Sequence, residues 1–219
     1  MQQFLTRGIG HTEFKQTELG RIPFLWSIKR IGEITEVKTG GTPSRTNNSY
    51  WENGTIPWMS SGEINLKKVY SVKEKITEQG YRNSNTTLLP IGTVMLAMNG
   101  QGKTRGTAAI LRCETTCNQS LAGILPSLET NSDYLYYYLD SCYEDLRSLT
   151  GEGRSGLNLS LIRDFSIKIP PFAEQQKIAE ILSTVDEQID VYEKEKEKQL
   201  ELKKGLMQQL LTGNIRVMV

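Results

Sequence analysis

Residues 170–213 read PPFAEQQKIAEILSTVDEQIDVYEKEKEKQLELKKGLMQQLLTG. The two prolines cannot continue a helix but suit the entry to one. Ile178, Leu182, Val185, Ile189 and Tyr192 follow at spacings of four, three, four and three, a heptad seam. The seam lapses in Glu193–Lys198, where acid and base alternate, a run that reads first as a solvated face. Apolar residues resume at Leu200, Leu202, Leu206 and Leu210 in a shifted phase that resembles a stutter, and Gly213 marks the stop. A helix from 174 to 211 would be roughly 57 Å long at 1.5 Å per residue. A domain of this size cannot cover so long a stripe, so part of the helix is expected to project and pack on another helix. Ile178, Leu182, Val185, Ile189, Tyr192, Leu206 and Leu210 are the expected dimerisation residues. Gly205 lies inside this stretch, where glycine costs about 1 kcal/mol against alanine; it permits either a close helix approach or a kink.

The end of the chain echoes its beginning. Met207-Gln208-Gln209-Leu210-Leu211-Thr212 repeats Met1-Gln2-Gln3-Phe4-Leu5-Thr6 with one difference, Phe4 against Leu210, and Ile9 and Ile215 keep the register. A period close to the whole chain reads as one unit of a head-to-tail duplication. Such a unit is expected to need a second copy, so self-association is the first expectation.

Bulk properties narrow the classes. The 219 residues can bury one core with an appendage; 23% are charged and 37% hydrophobic, ordinary for a soluble globular protein. No apolar run approaches a membrane span and the first residues carry no apolar signal core, so the cytoplasm is the expected location. Three cysteines (Cys113, Cys117, Cys142) and the single His11 do not make a secreted disulfide framework or a zinc set, and no metal is expected. The net charge of +1 argues against a strongly basic nucleic-acid binder, yet residues 38–112 carry 10 Lys/Arg against 4 Asp/Glu. That basic middle is modest support for a polyanion partner.

An α+β organisation is expected: a lead-in over 1–21, a mixed α/β domain over 22–170, and a long coiled-coil helix and tail over 171–219. Within the domain, Ile34–Lys38, Thr55–Met59, Thr93–Met98, Thr107–Leu111, Ala122–Leu125 and Phe165–Ile169 read as strands between Gly, Pro and Asn punctuation. One helix is expected from a Ser132 cap through Leu135, Leu139, Cys142, Leu146 and Leu149 to Gly151. Its tyrosines could stack on bases, but packing of an amphipathic helix explains them more simply.

Three near-matches to catalytic motifs fail on inspection. Ala97–Thr104 lacks the leading glycine of a phosphate loop, and a strand rather than a helix follows it. Ile169-Pro170-Pro171-Phe172 resembles the turn of DNA amino-methyltransferases but has no Asp, Asn or Ser before the prolines to hold an amine. Glu201-Leu202-Lys203 has no accompanying carboxylate on a strand. No catalytic constellation is expected in the chain.

The order of its motifs carries a resemblance. Leu19-Gly20-Arg21-Ile22-Pro23 with Trp26 is followed by Lys38-Thr39-Gly40-Gly41-Thr42-Pro43-Ser44, Tyr50-Trp51 with Gly54, Ile56-Pro57-Trp58 and Lys75-Ile76-Thr77. Then come Arg154-Ser155-Gly156-Leu157-Asn158, Ile169-Pro170-Pro171, Glu174-Gln175-Gln176-Lys177-Ile178 and Leu206–Gly213. Taken together the chain resembles one half of the specificity subunit of type I restriction–modification systems. The resemblance implies a target recognition domain on double-stranded DNA and a conserved helix that sets the spacing between two half-sites. It implies methyltransferase subunits docked on the chain and carrying S-adenosylmethionine, and restriction subunits supplying ATP- and Mg-dependent work, with no cofactor on the chain itself. A half-length subunit would act as a homodimer. Two other readings predict different behaviour: a stand-alone methyltransferase would bind S-adenosylmethionine, and an interaction remnant would dimerise without sequence-preferring DNA binding.

Under that resemblance, base edges need polar donors and phosphates need cations, both from loops between strands. The candidates are Ser44, Arg45, Asn47 and Tyr50 in the first loop, Lys103 and Arg105 in the second, and Arg154 and Asn158 in the third. Gly40, Gly41 and Pro43 read as turn formers, and Trp51 and Trp58 as core.

Overall fold

A computed structural model describes residues 1–100, 104–150 and 156–212. The chain divides into two compact units, Met1–Ala179 and Glu180–Val219. The first opens with helix α1 (Gln2–Arg7), strands β1 (Phe14–Thr17), β2 (Gly20–Pro23) and β3 (Ser27–Arg30), helix α2 (Ile31–Ile34) and strand β4 (Val37–Thr39). It continues through β5 (Ile56–Met59), β6 (Lys68–Val69), β7 (Glu74–Ile76), helix α3 (Glu78–Arg82), β8 (Val94–Ala97), β9 (Ala108–Leu111), β10 (Thr116–Cys117) and β11 (Leu121–Ile124). Helices α4 (Ser132–Ser141), α5 (Tyr143–Ser148) and α6 (Leu159–Asp164), strand β12 (Ser166–Ile169) and the long helix α7 (Phe172–Leu211) complete the order.

The centre is a five-stranded sheet in the order β4-β11-β8-β9-β6. Every residue of β8, β9 and β11 is buried. That follows from their near-continuous apolar sequences, because a strand covered on both faces has no polar alternation to show. One face packs Met59, Ile64, Val69, Leu89, Met95, Ala109 and Leu121 into a core. Helix α4 packs on β8 and β9. Its Tyr134, Tyr136, Tyr137 and Tyr138 are all buried, so these side chains belong to the core. A second sheet, β10-β5-β7, carries Trp58 and Met59 inward.

Several expected boundaries move. Ile34 ends the short helix α2 instead of starting a strand, and β4 begins at Val37. The helix expected from 132 to 149 is two helices. The Cys142 N–H is shared between the Tyr138 and Leu139 carbonyls, and its ψ of 18° ends α4. Asn131, not Ser132, is the cap, its side-chain oxygen accepting from the Tyr134 N–H. The expected stop at Gly151 lies outside the described residues. In the first stretch Leu5 of α1 is 1% exposed, and β1 and β2 form an antiparallel hairpin that runs on to Pro23. Gly40 is set by close approach rather than by a turn, since a Cβ there would stand 1.8 Å from the Cys117 carbonyl oxygen.

The first turns of α7 bind the unit together. Glu174 Oε1 accepts from the Ile9 N–H at 3.0 Å and meets His11 Nε2 at 2.8 Å, while Oε2 accepts from the Trp26 indole at 3.0 Å. Gln175, fully buried, donates to the carbonyls of Glu129 and Pro170 and accepts from the Asn131 N–H. Ile178 is also fully buried. In the second unit every residue of α7 from Glu187 onward is exposed. The whole helix, 40 residues, runs about 60 Å. Gly205 lies within a continuous helix, and a Cβ added there would meet nothing within 4 Å beyond the helix's own backbone. Among the described residues no helix is long and apolar enough to cross a membrane.

Replacing Gln175 with alanine removes a fully buried amide and strands the buried Pro170 carbonyl together with the part-buried Glu129 carbonyl and Asn131 N–H, where an unsatisfied buried group costs about 1–3 kcal/mol. Gln175→Ala is expected to lower unfolding free energy by about 3 kcal/mol in urea titrations, against under 1 kcal/mol for the exposed neighbour Gln176→Ala.

Candidate nucleic-acid interface

The three loops nominated by sequence meet through the turn Asn118-Gln119-Ser120, between β10 and β11. The Met98 N–H donates to the Ser120 carbonyl at 2.9 Å, and the Leu157 N–H donates to the Met98 carbonyl at the same distance. A Cβ on Gly156 would stand 1.6 Å from Asn99 Oδ1, so the third loop lies directly against the second. On the other side the Gly41 N–H donates to the Cys117 carbonyl, and Thr42 Oγ1 donates to Gln119 Oε1 at 2.6 Å. Residues 41–42, 98–99, 118–120 and 156–158 therefore form one connected rim. Gln119 is exposed at its middle. It was missed in the sequence, although a polar Asn-Gln-Ser turn between two apolar strands marks such a position.

The nominated side chains differ in how free they are. Arg45 is committed: its two terminal nitrogens donate to the two Glu74 oxygens at 2.6 and 2.8 Å, and its guanidinium lies 3.5 Å from the Trp51 ring centre and 4.9 Å from that of Trp58. The Trp rings meet edge to face at 5.1 Å. Trp51 donates to the Ser44 carbonyl and Trp58 to the Gly41 carbonyl, so this cluster fixes both ends of the first loop. The Arg45 hydrogen bond holds the Glu74 carboxyl below its usual pKa, and Glu74 in turn raises that of Arg45.

Ser44 is exposed and shares a 2.8 Å hydrogen bond with Thr46. Asn47 caps the 3-10 turn Asn48–Tyr50 by accepting from the Ser49 N–H and hydroxyl, and the Tyr50 carbonyl accepts from Thr77 N. Asn158 caps α6 by accepting from the Leu161 N–H. Arg105 is half-buried. Lys103 and Arg154 lie outside the described residues, as do 101 and 102 of the near phosphate loop; strand β9 follows that loop.

The cysteines serve the fold. Cys113 Sγ donates to the Val69 carbonyl, and Cys117 lies in the core, where burial pushes its thiol up to about 12. Among the described residues no group of three or more potential ligands could hold a metal ion.

The expected dimerisation residues fall in two groups. Ile178 and Leu182 are closed off from solvent, at 0% and 4% exposed. Val185, Ile189, Tyr192, Leu206 and Leu210 are 44–68% exposed.

The type I restriction modification DNA specificity domain matches residues 23–202. The chain belongs to that family. It is 33% identical over 200 residues to the MjaIX specificity subunit of Methanocaldococcus jannaschii, covering 89% of this chain and 45% of that protein. It is 30% identical over 162 residues to the EcoR124I/EcoR124II specificity subunit of Escherichia coli, covering 72% of this chain and 40% of the relative. The crystal structure of the HsdS subunit from Thermoanaerobacter tengcongensis shares the fold with a TM-score of 0.60 at 18% identity, over 81% of this chain and 41% of that one. The chain thus spans less than half the length of each of these relatives. The resemblance read in the motif order and the expected α+β class with a long C-terminal helix both hold.

A lowered folded-state pKa means that the Glu74–Arg45 pair adds stability above the ordinary carboxylate range and loses it as pH falls through the lowered value. Tryptophan fluorescence is expected to show an acid transition below that range as the guanidinium leaves Trp51. Glu74→Gln should abolish the transition. An identical transition in the variant would contradict this assignment.

Proposed function

We propose that the chain is a DNA sequence-recognition subunit of a type I restriction–modification complex, reading one half of a bipartite site in double-stranded DNA. A second copy, held through the exposed stretch of α7, reads the other half. The pair scaffolds methyltransferase and restriction subunits, which carry S-adenosylmethionine, ATP and Mg, and works in the cytoplasm. The chain itself is not a catalyst. The observation that carries this reading is the joined rim of polar loops on a chain of the DNA specificity family.

Roles on the rim follow from chemistry. Gln119 has an amide that suits adenine, whose major-groove edge offers one acceptor and one donor. Ser44, Asn47, Tyr50 and Asn158 flank it as further base or sugar contacts. Lys103, Arg105 and Arg154 meet phosphates. Arg45 acts indirectly, by holding the first loop in shape against Trp51.

Binding to a randomised duplex pool, followed by anisotropy on the selected site, tests this. Gln119→Ala should relax preference at one base position by roughly 5- to 150-fold, the range of one bidentate base contact, while keeping non-specific affinity. Lys103→Ala and Arg105→Ala should weaken binding to all sequences and each reduce the salt slope by about 1. A pool with no enriched sequence, or full affinity in all three variants, contradicts the reading.

A further inference from the structure

The hexapeptide that opens the chain and the one near its end take the same local structure but have opposite surroundings. In α1 the Thr6 hydroxyl donates to the Gln2 carbonyl at 2.8 Å, with Gln3 at 3.4 Å. At the end of α7 the Thr212 hydroxyl donates to the Gln208 carbonyl at 2.7 Å, with Gln209 at 3.3 Å. Both segments are helical and present the same residues on the same faces. Leu5, however, is 1% exposed, while its counterpart Leu211 is 83% exposed.

Leu5 has a seat. It borders a cleft of about 290 Å³ lined also by Leu19, Tyr138, Cys142, Phe165 and Lys168. The seat is placed at the beginning of α7, because the residues just after α1 are held there: Ile9 N–H and His11 both meet Glu174. Its occupant's twin lies near the end of the same helix, 33 residues beyond Glu174 in the sequence.

We infer that the α1 seat is also the docking site for Met207–Thr212 of a second copy of this chain, and that α1 is a built-in competitor for it. The inference rests on the dimer reading above and adds its registration device. The occupant is identified by sequence: the surface that buries Leu5 of Met-Gln-Gln-Phe-Leu-Thr in a helical turn can bury Leu211 of Met-Gln-Gln-Leu-Leu-Thr in the same turn. When two copies exchange these ends reciprocally, the finish of each long helix lies at the start of the other. The two helices then run antiparallel in a single register. Without such an anchor the solvated Glu193–Lys198 stretch would leave sliding of one helix along the other weakly opposed. Because α1 is tethered in its own chain, its effective concentration at the seat is high, and the incoming end must displace it.

Sedimentation of the intact chain and its variants over a concentration series tests the exchange. Deleting residues 1–6 vacates the seat and should tighten the dimer at least tenfold. Leu5→Ala, which keeps the segment but strips its buried contact, should act in the same direction, and covers the case in which the deletion does not fold. Leu211→Arg changes a side chain that is exposed in the single chain, so folding is unaffected. It should weaken the dimer at least tenfold and cancel the gain from the deletion. Ile189→Arg probes the helix seam alone. If that variant disrupts the dimer while the deletion and Leu5→Ala bring no gain, the seat exchange is wrong and the helix-paired dimer stands. If every form sediments as a monomer, both fail.

Discussion

The carboxylate of Glu174 and the amide of Gln175 stand where the globular unit passes into the long helix, and the rest of the molecule is hung from them. Glu174 gathers three donors from two separate stretches, Ile9 and His11 on one side and Trp26 on the other. Gln175 gathers Glu129, Asn131 and Pro170. Buried polar groups of this kind are costly unless every partner is present, so they specify one arrangement rather than merely favouring it. The loss of any one stretch leaves an atom of Glu174 or Gln175 short of a partner. Entry to α7 is therefore fixed by the fold of the first unit, and not by helix propensity alone.

Above this junction the central sheet supplies rigidity. Strands β8, β9 and β11 expose nothing, and their ends deliver the turns that form the polar rim. The Arg45–Glu74–Trp51 cluster plays the same part for the first loop that Gln175 plays for the base of the helix. Its guanidinium is half exposed but paired with both Glu74 oxygens and laid on Trp51, which makes it an organiser of the loop. The exposed amide of Gln119 is better placed to face a partner.

Much of this was legible in the sequence, for reasons that differ by element. Strands β5, β8, β9, β11 and β12 announced themselves because apolar runs bounded by Gly, Pro and Asn have few other structures to adopt. The hairpin β1–β2 did not. Phe14-Lys15-Gln16-Thr17 shows too little alternation to separate it from a loop, and its pairing is set by tertiary contacts. The long helix was legible from its heptad spacing, whereas the burial of Ile178 beneath the first unit was not, since the seam looks the same whether an intramolecular or an intermolecular surface covers it. Arg45 was nominated as a loop residue for DNA, but its pairing with Glu74 was not legible, because nothing in a linear sequence places Glu74 opposite it. Glu174 and Gln175 were visible as a family-like motif, but their role as a clamp needs the partners from residues 9, 11, 26, 129 and 131, which only folding brings together. The single helix expected from Ser132 to Leu149 failed at Cys142, where apolar spacing continues through a break in the backbone.

The rim's loops are tied to one another largely by main-chain hydrogen bonds: Gly41 to Cys117, Met98 to Ser120, Leu157 to Met98 and Asn118 to Met59. Main-chain links are indifferent to what the exposed side chains are. Exposed positions such as 44 and 46, whose side chains join no two of these loops, can thus be exchanged by mutation or recombination while the scaffold stays folded. A protein built in this way can change what it selects far faster than it changes its shape.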